Sequence, residues 1–330
     1  MKNNLFKKQP LIALAPMAGI TDSSFRLVCQ QFGVDLVYSE MISASGVVYN
    51  QPQNVYDWQK KRWIKLNKSL ELAKFRRKER PIILQLFGSQ PEIMAQAAQI
   101  LVQKFAPEGI DINMGCPAKK VTKQGEGSAL LKNPALAGEI VKQVKKAVGK
   151  RVLVSVKTRL GWNDKQEILK LAPQLEKAGM DFLCLHGRTY KQGFSGEVDY
   201  QLIRKVKSLL GVPVLANGGI KTPEQAKQVL EITGVNGLAI GQGAWGTPWL
   251  FKQINDYLAV DSYDDLNWPE IKKIILKHAS LVYKAKGESG IIESRNHWCH
   301  YVRGQKNAAE LRQRLVQVET VEDIKNVIGK

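Results

Sequence analysis

Short apolar segments alternate along the chain with longer amphipathic segments, and this alternation predicts eight strands separated by helices. Most of the short segments are near-continuously apolar, which is typical of parallel strands covered by helices. The predicted strands are residues 11–16, 35–39, 81–87, 109–113, 152–157, 181–186, 212–217 and 236–241. Helix starts are predicted at Asn133-Pro134 and, as capping boxes, at Ser89-Gln90-Pro91-Glu92 and Thr222-Pro223-Glu224-Gln225.

Eight strands in alternation with helices predict an α/β fold of the TIM (β/α)8 barrel type. The alternative is a doubly wound sheet, which usually carries a glycine-rich phosphate loop after its first strand. Here the first strand ends in Ala15-Pro16-Met17-Ala18-Gly19, which lacks that loop. Glycine pairs instead follow the seventh and eighth strands, where barrels commonly bind phosphate. The barrel is therefore favoured, as a catalytic domain over residues 1–248.

The strand pattern stops after about residue 248, and only helical patterns follow. The 330 residues exceed the roughly 250 that a barrel needs, so a second, smaller unit fits the length. We predict a small all-helical domain over residues 249–330. Its boundary falls within 245–268, where Gly246, Pro248 and the stretch DSYDDLNWP interrupt the pattern.

The charge balance indicates a polyanionic partner. The chain has 49 Lys and Arg against 30 Asp and Glu, a formal net charge of +19. The stretch from Trp58 to Arg80 carries ten Lys or Arg against two Glu, interleaved with two Trp and one Phe. It follows the second strand, so we expect it at the functional face of the barrel, facing nucleic acid. The alternative is a solvated, exposed pair of helices.

Cysteine usage and hydropathy favour the cytoplasm. The four cysteines are scattered and form no CxxC pair, which argues for a reducing compartment. The apolar run near the start, LIALAP, is short and ends in proline, so it is interpreted as a buried strand and not as a leader. No stretch approaches the roughly 18 apolar residues of a membrane span. The group His297-Trp298-Cys299-His300 lacks zinc-site spacing, and no metal site is expected.

Cys116 is the candidate catalytic residue. It stands before Pro117 on a glycine-containing loop directly after the fourth strand, so it is poorly placed for core packing. A buried structural cysteine is the open alternative, and that interpretation suits Cys29 and Cys184 better, because they fall in a helix and in a strand.

Polar groups and glycines at successive strand ends predict a phosphate-bearing cofactor. Glycines let backbone N–H groups approach an anion closely, and basic side chains add positive charge. A phosphate cradle after strands seven and eight, with a lysine at strand five, suggests FMN. The residues concerned are Gln85, Lys157, Arg159, His186, Arg188, Asn217, Gly218, Gly219, Gly241 and Gln242.

These motifs identify a resemblance. Over almost its whole length the chain resembles the dihydrouridine synthase family, most closely the B branch of the bacterial enzymes. The motif around Cys116 is highly specific for that family. The matching segments are 15–22, 113–121, 157–162 and 186–189.

The resemblance implies an activity and a role for each residue. NADPH reduces FMN, a hydride adds to C6 of uridine in tRNA, and Cys116 gives a proton to C5. A free thiol has a pKa of about 8.5 and is mostly protonated near neutral pH. Asn113, Arg159 and Arg188 would bind substrate, Asn113 by reading the uracil edge. Cofactor would be held by Ala15, Pro16, Met17, Gln85, Lys157, His186, Asn217, Gly218, Gly219, Gly241 and Gln242.

One departure from the family pattern is Gln242, which stands where the family usually has arginine between two glycines. The backbone cradle is kept, but one cation near the phosphate is lost, which predicts weaker FMN binding.

We expect tRNA as partner, no membrane association and a monomer. The target base must leave the RNA stack to be reduced. The residues predicted to bind RNA are Lys74, Arg76, Arg77, Lys78, Lys284, Lys286, Arg295 and Arg303. Two alternatives remain open: a flavin barrel that reduces a small free enone or pyrimidine, and a non-catalytic RNA-binding barrel.

Overall fold

The structure, a computed structural model, describes residues 5–50, 53–57 and 62–329, with the backbone alone for 53–57 and 62–66. Eight parallel strands close into a barrel because β1 pairs with both β2 and β10. This arrangement confirms the TIM-barrel prediction and all eight predicted strands. The strands are β1 (Leu11–Leu14), β2 (Leu36–Ser43), β3 (Gln53–Asp57), β4 (Arg62–Leu66), β5 (Ile82–Phe87), β6 (Gly109–Met114), β7 (Leu153–Arg159), β8 (Phe182–His186), β9 (Val214–Asn217) and β10 (Gly237–Ile240).

Ten helices of the described chain accompany the barrel strands, and most cover their outer faces. They are α1 (Ser23–Gln30), α2 (Ala44–Tyr49), α3 (Lys68–Leu72), α4 (Pro91–Phe105), α5 (Lys119–Thr122), α6 (Pro134–Val148), α7 (Glu167–Lys177), α8 (Tyr200–Leu209), α9 (Pro223–Thr233) and α10 (Leu250–Val260). Among the described residues, no helix is both long enough and apolar enough to cross a membrane.

All three predicted helix starts are confirmed, because α4, α6 and α9 begin at Pro91, Pro134 and Pro223, but only two of the predicted side-chain caps are made. Asn133 caps α6 by accepting the N–H three residues on, at 3.1 Å. Thr222 caps α9 by accepting the N–H of Gln225 at 3.3 Å. The box at Ser89 is wrong: the residue before α4 is Gln90, which makes no side-chain cap, and the Ser89 hydroxyl bonds elsewhere.

The barrel interior is apolar at its N-terminal end and polar at its C-terminal end. Side chains such as Leu11, Leu36 and Phe182 fill the lower part and are fully buried. On β6 the alternate residues pack outward against the helices, which turns Asp111 and Asn113 into the barrel. The chemistry is therefore confined to one end of the barrel.

The basic stretch from Trp58 to Arg80 crosses from one end of the barrel to the other. It begins in the antiparallel hairpin of β3 and β4, whose connecting residues 58–61 lie outside the described residues. After α3 the chain runs along α1, where Glu79 forms a buried ion pair with Arg26 at 2.7 Å. Arg80 then bonds Glu108 at the N-terminal end of β5.

The expectation that the whole stretch lies at the functional face is therefore wrong for its last part. Because β5 enters the barrel from the N-terminal end, the chain has to return there. The alternative of an exposed helix pair is also wrong, since the described part contains a hairpin, the short α3 and one turn of 3-10 helix.

The C-terminal residues form the predicted helical domain around a second core. Its helices are α11 (Trp268–Glu293), α12 (Arg295–Tyr301), α13 (Ala308–Leu315) and α14 (Val321–Gly329). Trp298 and Tyr301 are fully buried in this core. In contrast, Leu250, Phe251 and Ile254 of α10 belong to the barrel core. The barrel packing thus extends past residue 248, where the sequence pattern placed the division.

The helical domain packs against two loops at the C-terminal mouth of the barrel. The imidazole of His297 bonds the carbonyl oxygen of Ile20, after β1, at 3.1 Å. The ring of His300 stacks on Trp245, after β10, with centroids 3.4 Å apart. Phe25 of α1 packs against His297 with a centroid distance of 4.8 Å. The domain therefore borders the mouth.

Candidate active site

A cavity of about 330 Å³ opens at the C-terminal ends of the strands, and every barrel strand or the loop after it contributes to its wall. Its volume lies within the range of ligand pockets. The structure brings together in this wall every residue for which the sequence predicts a catalytic, substrate or cofactor role. They are Ala15, Pro16, Met17, Gln85, Asn113, Cys116, Lys157, Arg159, His186, Arg188, Asn217, Gly218, Gly219, Gly241 and Gln242.

The wall of the cavity is electropositive. It carries Lys157, Arg159, Arg188 and Lys221, and no Asp or Glu belongs to its described lining. With no anion in the wall to neutralise them, these cations favour an anionic ligand.

The glycines after β9 form a cradle that other residues could not. Gly218 and Gly219 have φ values of 109° and 77°, in the region that L side chains rarely adopt. A Cβ on Gly218 would lie 2.6 Å from the ring of His186, and one on Gly219 would lie 2.5 Å from the hydroxyl of Tyr200. The bare backbone is therefore open to close approach by a phosphate.

Lys157 is held in the cavity by a neighbouring strand. Its Nζ donates to Oδ1 of Asn217 at 2.9 Å, and Nδ2 of Asn217 donates to the carbonyl of Ala239 at 2.7 Å. Burial lowers the pKa of the Lys157 ammonium, and the charge of Arg159 adds to this effect. An ammonium in such a place is stabilised by an incoming anion.

His186 is neutral in this cavity. Burial lowers the pKa of its imidazole to about 2, and the charges of Lys157, Arg159 and Arg188 contribute further. The expectation that this histidine supplies positive charge is therefore wrong for the cavity as it stands. Its role is that of a neutral hydrogen-bonding ring.

Cys116 is half-buried and lines the cavity, so it is not a core cysteine. Its N–H donates to Oδ1 of Asn113 at 2.9 Å, and its carbonyl accepts the N–H of Ser128 at 3.1 Å. Cys29 and Cys184 are fully buried, as predicted.

Arg159 joins two loops of the cavity wall. Nε donates to the carbonyl of Gly115 at 2.8 Å, and Nη1 donates to the carbonyls of Thr189 at 3.0 Å and Gly193 at 2.6 Å. Burial lowers the pKa of the guanidinium to about 10, so it remains charged at neutral pH. Most of the N–H donors of Arg159 bond backbone carbonyls, so few of its hydrogen bonds remain available for a substrate.

Some lining residues were not predicted from the sequence, among them Met41, Phe194, Lys221 and Trp245. Met41 follows a break in the β2–β5 register between Tyr38 and Met41. Phe194 is 61% exposed in the loop after β8, where no periodic pattern marks it. Lys221 offered a signal, since it closely follows the glycine pair after β9.

Several residues predicted to bind RNA have partners within the chain. Lys286 bonds Asp22 at 3.3 Å and Glu293 at 3.1 Å, and so ties the helical domain to the barrel. Arg295 donates to the carbonyl of Val318 at 2.8 Å. The other six residues of that prediction are exposed: Lys74, Arg76, Arg77, Lys78, Lys284 and Arg303. Among these exposed residues, Lys74 also pairs with Glu71, and Arg303 also bonds His300.

Another basic group lies next to Cys116. Lys119, Lys120 and Lys123 are exposed on and just after α5, which begins three residues after Cys116. The segment that carries the cysteine motif therefore also carries three exposed positive charges, which were not predicted as an RNA-binding group.

Comparison with known families gives a match over nearly the whole chain. A family model described as dihydrouridine synthase matches residues 13–329. The chain is 39% identical over 315 residues to the tRNA-dihydrouridine synthase B of Vibrio parahaemolyticus, covering 94% of this chain and 90% of that protein. It is 36% identical to the probable tRNA-dihydrouridine synthase 1 of Synechocystis, covering 96% and 84%. The predicted resemblance, including the B branch, is confirmed.

Solved structures resemble the chain in fold at low sequence identity. A histamine dehydrogenase from Rhizobium sp. 4-9 matches with a TM-score of 0.55 and 12% identity, covering 85% of this chain and 51% of that one. An old yellow enzyme homologue from Zymomonas mobilis matches with a TM-score of 0.50 and 14% identity, covering 78% and 90%. At such identities the likeness supports the barrel fold alone.

Proposed function

This chain belongs to the dihydrouridine synthase family, and on that premise we propose that it is a flavin-dependent enzyme that reduces uridine in tRNA to dihydrouridine. The observation that carries the proposal is that Cys116 and a glycine cradle open into the same electropositive cavity. A proton donor and an anion site side by side are what a flavin-dependent reduction of a base requires.

FMN fits the residues of the cavity. Gly218 and Gly219 leave backbone free to receive its phosphate, and Lys157 and Lys221 supply positive charge. Met17, which lies 3.5 Å from a Cβ built on Gly241, offers an apolar surface to a ring system. The cofactor, when bound, would supply to C6 of uracil the hydride that it receives from NADPH.

Cys116 is proposed as the proton donor. Negative charge develops on C5 and O4 as C6 gains the hydride, and the thiol proton goes to C5, which leaves the thiolate to be reprotonated from solvent. The backbone bonds of Cys116 to Asn113 and Ser128 hold its Cα in place. A proton donor that is held in position is preorganised for the reactive geometry.

Three other residues of the cavity wall are proposed to act on the substrate, and Lys157 is the one that would stabilise the developing charge. The Nζ of Lys157 keeps donors beyond the one given to Asn217, so it can favour negative charge in the cavity. Phe194, exposed at the mouth, offers a face on which a displaced base can stack. Arg188, half-buried beside His186, remains a candidate for substrate binding.

The basic surfaces around the mouth are proposed to hold tRNA. One uracil offers little contact, so affinity would come largely from phosphates. Lys119, Lys120 and Lys123 follow Cys116 within seven residues along the chain, and the helical domain borders the mouth from the side of α1. The four cysteines are free, which suits a reducing compartment, and we propose that the enzyme acts as a monomer in the cytoplasm.

The test uses the purified full-length protein and an unmodified tRNA transcript. We expect a yellow protein that releases FMN on denaturation, oxidises NADPH slowly alone, and forms dihydrouridine in the transcript, as measured by nuclease digestion and mass spectrometry. Free uridine should react far more slowly. Comparable kcat/KM for uridine and tRNA would instead favour a reductase of small molecules. A protein that stays colourless after reconstitution with FMN would favour a binding role.

A further inference from the structure

A chain of buried amide and carboxyl groups runs beneath the cavity and ends at Cys116. Nε2 of Gln85 donates to Asp111 at 2.7 Å, and Nδ2 of Asn113 donates to Oε1 of Gln85 at 2.8 Å. Oδ1 of Asn113 then accepts the N–H of Cys116 at 2.9 Å and that of Gly115 at 3.1 Å. Asp111, Gln85 and Asn113 are 0%, 1% and 7% exposed, so water does not substitute for these bonds.

The donor-to-acceptor direction of this series of hydrogen bonds is determined at both of its ends. An ionised carboxylate only accepts hydrogen bonds, and a peptide N–H only donates. Asp111 must therefore receive the NH2 group of Gln85, which turns Oε1 of Gln85 toward Asn113. The NH2 group of Asn113 must face that oxygen, which turns its Oδ1 toward the peptide N–H of Cys116. For each of the two amides, only one orientation satisfies both the carboxylate of Asp111 and the N–H of Cys116.

We infer that Asp111 is a positioning residue, which acts through Gln85 to hold Asn113 as a pure hydrogen-bond donor toward the cavity and to fix the backbone of Cys116. The inference deepens the proposed function and rests on it for its meaning in the reaction. Asp111 does not line the cavity. It acts two side chains away from the thiol.

The state of the carboxyl group supports this role. Burial raises the pKa of Asp111 to about 6, while hydrogen bonds from Ser155 and Gln85 and the charge of Lys157 lower it. The group is therefore mainly ionised at neutral pH, although a buried carboxylate is costly. Cys184 and Leu215, which also fill the barrel interior, are neutral, whereas Lys157 is near enough for its charge to act on Asp111. The barrel packing alone gives no reason for a carboxylate here.

The arrangement limits what Asn113 can recognise. Both lone pairs of Oδ1 are taken by Gly115 and Cys116, and one N–H is taken by Gln85. A single N–H remains for the ligand. That donor suits a carbonyl oxygen of uracil and not its ring N–H, so Asn113 would read the uracil edge as a hydrogen-bond donor alone.

The test measures coupling between Asp111 and Asn113. Full-length protein is treated with iodoacetamide, and alkylation of Cys116 is followed by peptide mass spectrometry. We compare Asp111→Leu, Asn113→Ala and the double variant. Asp111→Leu should loosen the loop and raise the alkylation rate about tenfold, and Asn113→Ala, which removes the bonds to the N–H groups of Gly115 and Cys116, should raise it at least as much. The double variant should match Asn113→Ala within about twofold. Independent effects, with a rise near one hundredfold in the double variant, would overturn the inference.

Two further variants keep the test decisive. Ser155→Ala removes the other bond to the same carboxylate, at 2.6 Å, and leaves the link to Gln85, so it should change the rate much less than Asp111→Leu. An equal effect would mean that the carboxylate matters only for packing. If Asp111→Leu does not fold, Asp111→Asn replaces it. One oxygen of the new amide can still serve Gln85, so the rise should be smaller and still absent in the Asn113→Ala background.

Activity gives a second, separable readout. Asp111→Leu should slow the oxidation of reduced enzyme by tRNA about tenfold and leave reduction by NADPH within about twofold. Equal loss in both steps would argue against positioning of Cys116. If the wild type forms no dihydrouridine, the proposed function fails, and the alkylation experiment still decides the role of Asp111.

Discussion

Arg159 donates a hydrogen bond from Nε to the carbonyl oxygen of Gly115 at 2.8 Å, and this contact holds the residue that precedes Cys116. The same guanidinium bonds Thr189 and Gly193 in the loop after β8. One buried cation thus joins the loop of the proposed proton donor to the loop that carries Phe194. The guanidinium spreads its donors over a planar fork of nitrogens, which lets it reach carbonyls on both loops at once.

Arg159→Lys should therefore loosen both loops while keeping the charge. The ammonium cannot reach all three carbonyls, and an unpaired buried acceptor costs about 1–3 kcal/mol. We expect the free energy of unfolding to fall by about that amount, measured by urea titration. The control is Arg188→Lys, because Arg188 is half-buried and donates to one backbone carbonyl, that of Gly196. An Arg159→Lys variant no less stable than this control would contradict the linking role.

Replacing the proton donor should separate the two halves of the reaction. In Cys116→Ala we expect FMN to bind and to be reduced by NADPH as in the wild type. Formation of dihydrouridine should fall about 10²–10⁴-fold, the usual contribution of a general acid. The control is Cys299→Ala, since Cys299 packs in the helical domain away from the cavity and should keep full turnover. Normal turnover of Cys116→Ala on tRNA would refute the assignment.

Lys221 should compensate for the missing arginine at position 242. Both residues line the cavity beside the glycine cradle. If Lys221 meets the phosphate, Lys221→Ala should raise the Kd for FMN about tenfold or more, and Gln242→Arg should lower it, because charge-assisted bonds contribute about 1.5–3 kcal/mol. Flavin fluorescence gives the Kd.

Riboflavin, which lacks the phosphate, is the matched control for this pair. Its Kd should not respond to either substitution. An FMN affinity that is unchanged in both variants would mean that the cradle holds phosphate by backbone alone.

Two sets of three positive charges should contribute unequally to tRNA binding. Replacing Lys119, Lys120 and Lys123 by Ala removes charge beside Cys116, and replacing Arg76, Arg77 and Lys78 removes it from the chain that runs along α1. Each lost phosphate contact flattens the plot of log Kd against log salt by roughly 0.7–0.9. We expect both sets to weaken binding, the first set more, in filter-binding titrations at several salt concentrations.

The affinities and salt slopes of the two triple variants show which of the two basic surfaces contacts tRNA. If the Arg76 set leaves affinity and salt slope unchanged, the stretch after β4 does not contact RNA. An unchanged slope for the Lys119 set would remove the surface next to the cavity from the proposal.

Acid should loosen the contact between helical domain and barrel. Burial lowers the pKa of His278 to about 3 and that of His297 to about 4. An unfolded histidine titrates near about 6.5, so the unfolded state binds more protons below that pH. The stability contributed by each neutral ring is full above about pH 6.5 and is lost as the pH falls toward 4. At pH 5.5 each of the two histidine rings should lower the free energy of unfolding by about 1.4 kcal/mol relative to its value above about pH 6.5.

His278→Phe tests this dependence. It removes a titrating ring and its bond to Tyr301 at 3.0 Å, so the variant should be less stable at pH 7.5. Its further loss between pH 7.5 and 5.5 should be smaller than that of the wild type, in urea titrations at both pH values. The comparison cancels other groups, including Asp111, whose raised pKa acts in the opposite direction. An equal loss would show that His278 is not responsible.

Much of the architecture could be predicted because it depends on local patterns. A continuously apolar run such as 11–16 marks a strand wherever it finally lies, and Thr222-Pro223 marks a helix start from its own chemistry. Parallel strands bring their C-terminal ends to one face, so residues that follow strands, such as Cys116 and Asn217, can be assigned to a common site. The sequence alone therefore determined the barrel and the face that carries the cavity, and it predicts a phosphate-bearing cofactor there.

The tertiary structure decided how each polar group is used. Arg159 bonds backbone carbonyls of two loops, Lys286 pairs with Asp22 across the domain contact, and cations from neighbouring strands help to keep His186 neutral. Asn113 is left with one free donor. Such roles follow from which loops meet in space and from how far water is excluded. Neither is encoded in the spacing of residues along the chain, since hydrogen bonding and pKa depend on neighbours that are distant in sequence.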